Sequence, residues 1–237
     1  MKQELIDLRR DVLDANLELV RRGIVIYTWG NVSAKESSSG LILIKPRGVL
    51  YEVMTEEDIA VCNMAGEHID GRYKPSVDLD IHLAIYRAYP QVMSIAHTHS
   101  TFATSYAQAG KAIPCFGTTH ADSFYGEIPC TRAQRDDEMG DDYELITGEM
   151  IVEKFTELKL DPLEMPGVLV ACHGPFTWGK TPADAVENSV VLEEVAKMAA
   201  WTQMLGKNTP SISQSLIDKH FLRKHGASAY FYQDQGV

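Results

Sequence analysis

The sequence predicts an α/β or α+β fold, because amphipathic helical segments alternate along the chain with short apolar runs typical of strands. Of its 237 residues, 45% are hydrophobic and 23% are charged, which provides enough apolar surface for one large domain. No internal repeat and no linker-like tract interrupts the chain. We therefore expect a single domain over residues 1–237.

Four helices are predicted from the spacing of apolar residues and from signals at the helix ends. Gly23 is the expected stop of the first helix, and Ser76 is the expected N-cap of the second, which Pro90 ends. Thr181, followed by a proline and an acidic residue, is the expected cap of the last helix, which is apolar on most sides. The predicted ranges are 3–22, 76–89, 147–158 and 182–205.

Short apolar runs bounded by turn residues predict the strands. The serine-rich stretch 37–40 is expected to turn between two strands, and 64–66 is expected to turn within a hairpin. The predicted strands are 23–28, 41–44, 59–63, 67–69, 92–96 and 168–171.

Charge and composition exclude several classes of protein. The net charge is −11 and no basic run occurs, which argues against a nucleic-acid binder. No apolar stretch is long enough for a membrane span, and the first residues lack the apolar core of a signal peptide, so a cytoplasmic protein is expected. The four cysteines are far apart and are expected to be free thiols. The chain contains no dinucleotide fingerprint, P-loop or G-x-S-x-G motif, which argues against a nucleotide cofactor and a serine hydrolase.

The strongest sign of chemistry is the pair His97 and His99. Residues i and i+2 of an extended segment point to the same side, so both imidazoles can face one point. His173 ends another apolar run, and Asp78 lies at a predicted helix start. Three imidazoles with an open fourth position are typical of a catalytic zinc site or a similar divalent site. The alternative is that the H-x-H pair is a chance or surface feature.

Four small polar loops are candidate sites for an oxyanion, because backbone N–H groups near glycines and helix N-termini favour phosphate. Lys45 and Arg47 would supply positive charge to one of them. Each loop, taken singly, is equally compatible with an ordinary turn. The loops are 28–31, 45–48, 75–76 and 117–120.

Two further segments contain candidate proton-transfer groups. Asp122 lies beside Phe124 and Tyr125, whose apolar rings would raise the pKa of its carboxyl group; a turn or capping role is the alternative. The C-terminal segment 229–233 is aromatic, and an apolar tail of this kind often docks on a neighbouring subunit. A tyrosine there could transfer a proton or could only pack.

Taken together, seven segments resemble the class II aldolase/adducin family, in order and essentially from end to end. The run G-T-T-H-A-D at 117–122 and the tail K-H-x-x-R-K-H-G at 219–226 resemble its sugar-phosphate epimerase branch rather than the aldolases. The other matching segments are T-W-G-N-V-S at 28–33, I-K-P at 44–46, I-A-H-T-H-S at 95–100, E-I-P-C-T-R at 127–132 and H-G-P-F-T-W-G-K at 173–180.

The resemblance implies an αβα sandwich around a mainly antiparallel sheet. It also implies a homotetramer with active sites at subunit interfaces, and zinc or another divalent metal. Asp122 and a tail tyrosine would transfer protons. The implied metal ligands are Asp78, His97, His99 and His173, and the implied phosphate contacts are Gly30, Asn31, Arg47, Gly48, Ser76 and Val77.

The activity implied by the resemblance is inversion of C4 of L-ribulose 5-phosphate, giving D-xylulose 5-phosphate. The C3–C4 bond would break and form again on the other face of the aldehyde, which needs two acid–base groups. One alternative is a metal-dependent aldolase, or an epimerase acting on a different ketose phosphate. Another is a catalytically silent interaction module like the adducin head. Release of free aldehyde would indicate the aldolase, and lack of bound metal the silent module.

Three departures from the family pattern bear on the substrate. Arg47 stands where the family has serine in K-P-S-G, and Val77 stands where it has serine in P-S-S-D. Arg47 either replaces the lost hydroxyls as a bidentate phosphate ligand or marks a different substrate. Phe231 occupies the usual position of the second tail tyrosine. We predict that Tyr232 takes the catalytic role, with Tyr230 as the alternative. The role of His220 in the tail motif is left open.

Overall fold

An antiparallel sheet forms the centre of the computed structural model, which describes residues 3–227 and 229–230. Its strands are β1 (Gly30–Lys35), β2 (Ile42–Ile44), β3 (Ala60–Cys62), β4 (His68–Asp70), β5 (Ser94–Thr98), β6 (Gly167–Val170) and β7 (Gly174–Gly179). Their order in the sheet is β4-β3-β2-β1-β5-β7-β6, and each neighbouring pair is antiparallel. The implied sheet architecture is therefore confirmed.

Helices surround this sheet in the described part of the chain. They are α1 (Gln3–Arg21), α2 (Leu79–Ala88), α3 (Thr101–Gln108), the single turn α4 (Thr118–Ala121), α5 (Tyr143–Leu158), α6 (Pro182–Leu205) and α7 (Gln214–His225). Short 3-10 turns lie at Tyr51–Val53, Glu56–Asp58 and Asp136–Glu138.

Side chains alternate between two apolar cores on the two faces of the sheet, as the period of two in a strand requires. Leu43 of β2 belongs to one core together with Val12 of α1. Its neighbours Ile42 and Ile44 belong to the other core, which includes Ile81 of α2. Helices therefore cover both faces, and the αβα arrangement implied by the resemblance is confirmed.

Several sequence predictions are confirmed with small shifts at the boundaries. The first helix ends at Arg21, and Gly23 has a φ of +70°, which a glycine adopts without strain. The hairpin of β3 and β4 and the strands β2, β5 and β6 are present. Thr181 forms the capping box of α6 with Asp184. The backbone N–H of Thr181 donates to the Asp184 carboxylate at 3.0 Å, and the N–H of Asp184 donates to the Thr181 hydroxyl at 3.1 Å.

The predicted strand over residues 23–28 is wrong. Ile24 and Val25 are buried, but the chain then turns, with Ile26 and Tyr27 exposed and Tyr27 at a φ of +54°. A left-handed residue cannot continue a ladder, so the first strand starts at Gly30 instead. The apolar run that suggested a strand instead packs Val25 into the core beside α1.

The predicted N-cap of the second helix is also wrong. Asp78, not Ser76, is the residue before α2, and its side chain makes no capping hydrogen bond. Its carboxylate instead accepts a hydrogen bond from Asn31 of β1. The third predicted helix begins at Tyr143 rather than at residue 147. The strands β1 and β7 and the helices α3, α4 and α7 were not predicted as such.

The sequence also predicts free cysteines, no membrane-spanning helix and a single domain. All four cysteines are free, as predicted. Across the described residues, no helix combines the length and the apolar character that crossing a bilayer would require. That residues 1–237 form a single domain stays a prediction.

Candidate active site

Three histidines meet where the ends of the central strands come together. His97 lies in β5, His99 follows that strand directly, and His173 lies in the turn between β6 and β7. The Nε2 atoms of His97 and His99 are 3.0 Å apart, and one ligand atom from each of the three rings lies within 4.8 Å of the others. The predicted convergence of the H-x-H pair with His173 is therefore present in the fold.

The hydrogen bonding of His97 suits a metal ligand. Its Nδ1 lies 3.0 Å from the carbonyl oxygen of Pro175, which can only accept, so Nδ1 carries the proton and Nε2 keeps a lone pair. Burial lowers the pKa of His97 to about 3, against the opposing charge of Asp78. The ring is therefore neutral near pH 7, which is the form that binds a metal.

The spacing of the ring nitrogens also fits a metal. Two nitrogens bound tetrahedrally at about 2.0–2.1 Å lie about 3.4 Å apart, close to the 3.0 Å between His97 and His99. Phe176 of β7 stacks on the His97 ring with centroids 4.2 Å apart, which fixes its plane. The cluster can accordingly hold a divalent ion with a small adjustment of the rings.

Glycines allow the neighbouring strands to approach the strand of His97. A Cβ on Gly30 of β1 would lie 2.7 Å from the carbonyl oxygen of His97. A Cβ on Gly174 of β7 would lie 2.7 Å from that of Thr98. Contacts this short do not occur, so glycine is required on both sides.

Asp78 is the carboxylate predicted to complete the metal site. Its Oδ2 accepts hydrogen bonds from the amide of Asn31, at 2.6 Å, and from the hydroxyl of Ser76, at 3.2 Å. Asn31 is the β1 residue directly opposite His97 in the sheet. The charge of Asp78 acts on His97, His99 and His173. Among the described residues, however, the ligand atoms that lie within 4.8 Å of one another come from the three histidines and not from Asp78.

Two of the predicted phosphate-binding loops lie side by side. Pro46 and Pro75 form an antiparallel bridge, the N–H of Ser76 donates to the carbonyl of Lys45, and the N–H of Arg47 donates to that of Lys74. Arg47, Gly48 and Val77 are exposed along this pair of segments. The hydroxyl of Tyr51 donates to the carbonyl of Gly30 at 2.7 Å, which ties the third loop to the same region. The structure therefore brings the predicted phosphate contacts together.

The Lys45 ammonium group is buried within its own loop. Its Nζ donates to the carbonyls of Val49, at 2.8 Å, and Pro46, at 3.3 Å, and lies 4.7 Å from the centre of the Tyr51 ring. The residue is only 3% exposed, and burial lowers the pKa of the ammonium group to about 8. Lys45 thus places a desolvated cation inside the loop to which the exposed Arg47 belongs.

The surroundings of Asp122 differ from those expected. The Nη2 of Arg223 lies 3.0 Å from both carboxylate oxygens, and the Nδ1 of His220 lies 3.1 Å from Oδ1. The Nζ of Lys224 is 3.9 Å from Oδ2. The expectation that apolar rings surround this carboxylate is wrong, because α7 packs its cationic face against α4.

The cationic partners of Asp122 could have been found in the sequence. His220, Arg223 and Lys224 have the spacing i, i+3 and i+4, which places them on one face of a helix. This signal applies only if the tail motif is helical, as α7 is. In the described part of the chain, no hydrogen bond or ion pair links Asp122 to the histidine cluster.

Of the two candidate tyrosines of the tail, the structure describes Tyr230. Tyr230 is 64% exposed, its N–H donates to the carbonyl of Arg223, and the Lys219 ammonium lies 5.7 Å from its ring centre. Tyr232 lies outside the described residues. The choice between the two as the second proton-transfer group stays a prediction.

The model of the class II aldolase and adducin N-terminal domain matches residues 10–200. The chain belongs to the class II aldolase and adducin family. Class II aldolases generally depend on a divalent metal, and family members act on sugar phosphates and are often oligomeric. The histidine cluster of this chain fits that dependence.

Named relatives of the family lie close in sequence. The chain is 51% identical to L-ribulose-5-phosphate 4-epimerase UlaF of Salmonella paratyphi A and of Salmonella typhi. Each match extends over 226 residues, which is 95% of this chain and 98% of the relative.

Solved structures of this family share the fold at low identity. An L-fuculose 1-phosphate aldolase has a TM-score of 0.77 at 19% identity, covering 90% of this chain and 94% of that one. The corresponding enzyme of Thermus thermophilus has a TM-score of 0.67 at 19% identity, covering 86% and 99%. These likenesses concern the fold alone.

Proposed function

We propose that this chain inverts C4 of L-ribulose 5-phosphate to give D-xylulose 5-phosphate. The observation that carries the proposal is the 51% identity, over 95% of the chain, to proteins named L-ribulose-5-phosphate 4-epimerase. The histidine cluster and the half-buried Asp122 support it, because a silent interaction module needs neither. The metal is proposed to be zinc, with Asp78, His97, His99 and His173 as ligands.

The chemistry follows from the position of the inverted carbon. The C4 hydrogen is not acidic, so the proposed route breaks the C3–C4 bond, leaving an enediolate and glycolaldehyde phosphate. When bound, a divalent ion supplies a Lewis acid for the C2 carbonyl and C3 hydroxyl oxygens. The aldehyde then turns, and the bond forms again on its other face.

As the C3–C4 bond breaks, a base must take the proton of the C4 hydroxyl, and as the bond forms on the other face of the aldehyde, an acid must return a proton to that oxygen. Two proton-transfer groups, one on each face, are therefore needed. We assign one to the carboxylate of Asp122, which Arg223 and His220 hold in a single orientation. We assign the other to the phenol of Tyr232, with Tyr230 as the alternative. His220 is proposed to act through Asp122 rather than on the substrate.

The phosphate is proposed to bind along the paired loops and the start of β1. Keeping it bound prevents the aldehyde fragment from escaping, which is what separates an epimerase from an aldolase. The exposed Arg47 offers two N–H donors in the geometry that a phosphate requires. The proposed contacts are Gly30, Asn31, Lys45, Arg47, Gly48, Ser76 and Val77.

We further propose a cytoplasmic homotetramer whose active sites lie between subunits. Exposed apolar side chains near the end of α6 support a subunit contact, because patches of this kind are typical of interfaces. They are Met198, Trp201, Met204 and Leu205.

The proposal is tested by supplying L-ribulose 5-phosphate to the zinc-loaded protein and assaying D-xylulose 5-phosphate and free glycolaldehyde phosphate in parallel. Fast conversion without free aldehyde is the expected result. Free aldehyde in place of the epimer would indicate an aldolase. No reaction by folded, metal-bound protein would mean that Arg47 and Val77 mark a different ketose phosphate.

A further inference from the structure

The helix that follows His99 is capped from outside its own sequence. The Glu193 carboxylate of α6 accepts hydrogen bonds from the backbone N–H of Phe102, at 2.9 and 3.1 Å, and from that of Ala103, at 2.9 Å. These N–H groups belong to the first turn of α3, where a helix has no internal partner for them. A carboxylate at this end also complements the helix dipole.

Ser100, the residue expected to cap α3, does not cap it. Ser100 occupies the N-cap position of α3, and serine is among the preferred capping residues. Its hydroxyl makes no capping contact, and this buried oxygen has no hydrogen-bond partner among residues 3–227 and 229–230. The start of α3 therefore depends on Glu193, which lies more than ninety residues further along the chain.

Contacts to the sheet hold the part of α6 that precedes Glu193. One turn earlier on α6, the hydroxyl of Ser189 lies 2.5 Å from that of Thr177 in β7. The Thr177 hydroxyl also lies 2.9 Å from the carbonyl of Ala185 on α6, to which it donates. The neighbour of Thr177 in β7 is Phe176, which stacks on His97. The strand that supports one histidine thus also anchors the helix that carries Glu193.

We propose that Glu193 is a positioning residue for the metal centre, fixing the junction between β5 and α3 and with it the orientation of His99. His97 is held within β5 by strand pairing and by its own contact to Pro175. His99 lies beyond the strand and is exposed, so its place is set by the turn into α3. This inference rests on the metal centre proposed above.

The test compares Glu193→Ala and Glu193→Gln with Glu194→Ala in the full chain. Glu194 is the adjacent, half-exposed residue of α6, whose carboxylate lies 3.8 Å from Lys197, and it serves as the matched control. Zinc affinity is measured by competition with a chelator, and the visible spectrum of the cobalt-loaded protein reports ligand geometry. Thermal unfolding of the metal-free proteins shows whether each variant is folded.

Glu193→Ala is expected to bind zinc up to about 10-fold more weakly, with an altered cobalt spectrum. This is the low end of the effect of removing a direct partner of a ligand, because Glu193 acts on His99 through the backbone of Phe102 and Ala103. Glu193→Gln keeps one acceptor oxygen and is expected to lie between Glu193→Ala and the wild type. It also provides the folded variant should Glu193→Ala not fold. Glu194→Ala is expected to match the wild type in both measurements.

Wild-type zinc affinity and a wild-type cobalt spectrum in folded Glu193→Ala would overturn the inference alone, as would the same result in Glu193→Gln should Glu193→Ala not fold. Equal losses in the Glu193 variants and in Glu194→Ala would overturn it as well, because the effect would then not be specific to the cap. A wild-type protein that binds neither ion would overturn the metal centre together with this inference. A wild type that binds zinc but does not epimerise would overturn only the proposed reaction.

Discussion

Replacing Lys45 by methionine should make the stability difference between the two proteins depend on pH. Methionine has a similar shape and no charge, so Lys45→Met removes the buried cation while filling the same space. Burial lowers the pKa of the folded-state ammonium from 10.5 to about 8. Between these values the unfolded chain binds more protons than the folded one, so the wild-type free energy of unfolding rises with pH in this window.

The size of the stability difference follows from how far the pKa of Lys45 is lowered. A change of about 2.5 pKa units at about 1.36 kcal/mol per unit gives about 3 kcal/mol. This is an upper limit, because the Val49 carbonyl and the Tyr51 ring stabilise the charged form. Relative to Lys45→Met, the wild type should gain up to this amount between pH 8 and pH 10.5. Below pH 8 the difference between the two proteins should be constant.

Urea unfolding of the two proteins at several pH values between 7 and 10.5 measures this difference directly. Other groups titrate in this range, but they are shared and cancel in the comparison. Lys74→Met removes an exposed ammonium group from the neighbouring segment and controls for the loss of one charge. A stability difference between wild type and Lys45→Met that stays constant from pH 7 to 10.5 would refute the reasoning.

Three other substitutions test separate parts of the molecule. His97→Ala should lose bound metal and activity together, and normal metal content by elemental analysis would contradict its role as a ligand. Asp122→Asn should abolish epimerisation and keep the metal; full activity would remove Asp122 from the mechanism. Asn16→Ala should lower the free energy of unfolding by about 1–3 kcal/mol in urea, because it leaves the buried N–H of Val32 without its partner, while the Val32 C=O still accepts from the N–H of Lys45. An unchanged urea midpoint would show that water replaces the lost bond to the Val32 N–H.

The metal cluster was accessible from sequence because its geometry is largely local. The alternation of side chains along a strand already places His97 and His99 on one side, whatever the rest of the fold does. The end of an apolar run likewise suggested that His173 lies at a strand end. That Asn31 lies opposite His97 in the sheet and hydrogen-bonds to Asp78 depends on strand pairing, which no local pattern contains.

The errors have a common physical cause in tertiary contacts. The run 24–27 has the composition of a strand, yet a turn at Tyr27 and the packing of Val25 beside α1 decide its conformation. The nearest neighbours of Asp122 in the sequence predict apolar surroundings. Its actual partners come from about one hundred residues away, and they meet it only because α7 packs on α4.

The two halves of the candidate site, the histidine cluster and Asp122, lie on different secondary-structure elements. The histidines are held by strands β5 and β7 and by the turn into α3, whereas Asp122 is held by α4 and α7. Because no hydrogen bond or ion pair joins the halves within the described residues, metal occupancy and proton transfer should be separable. Asp122→Asn and His97→Ala should then differ in metal content although both are inactive. Loss of metal in both would mean that the halves are coupled through contacts that a single chain does not contain, such as those between subunits.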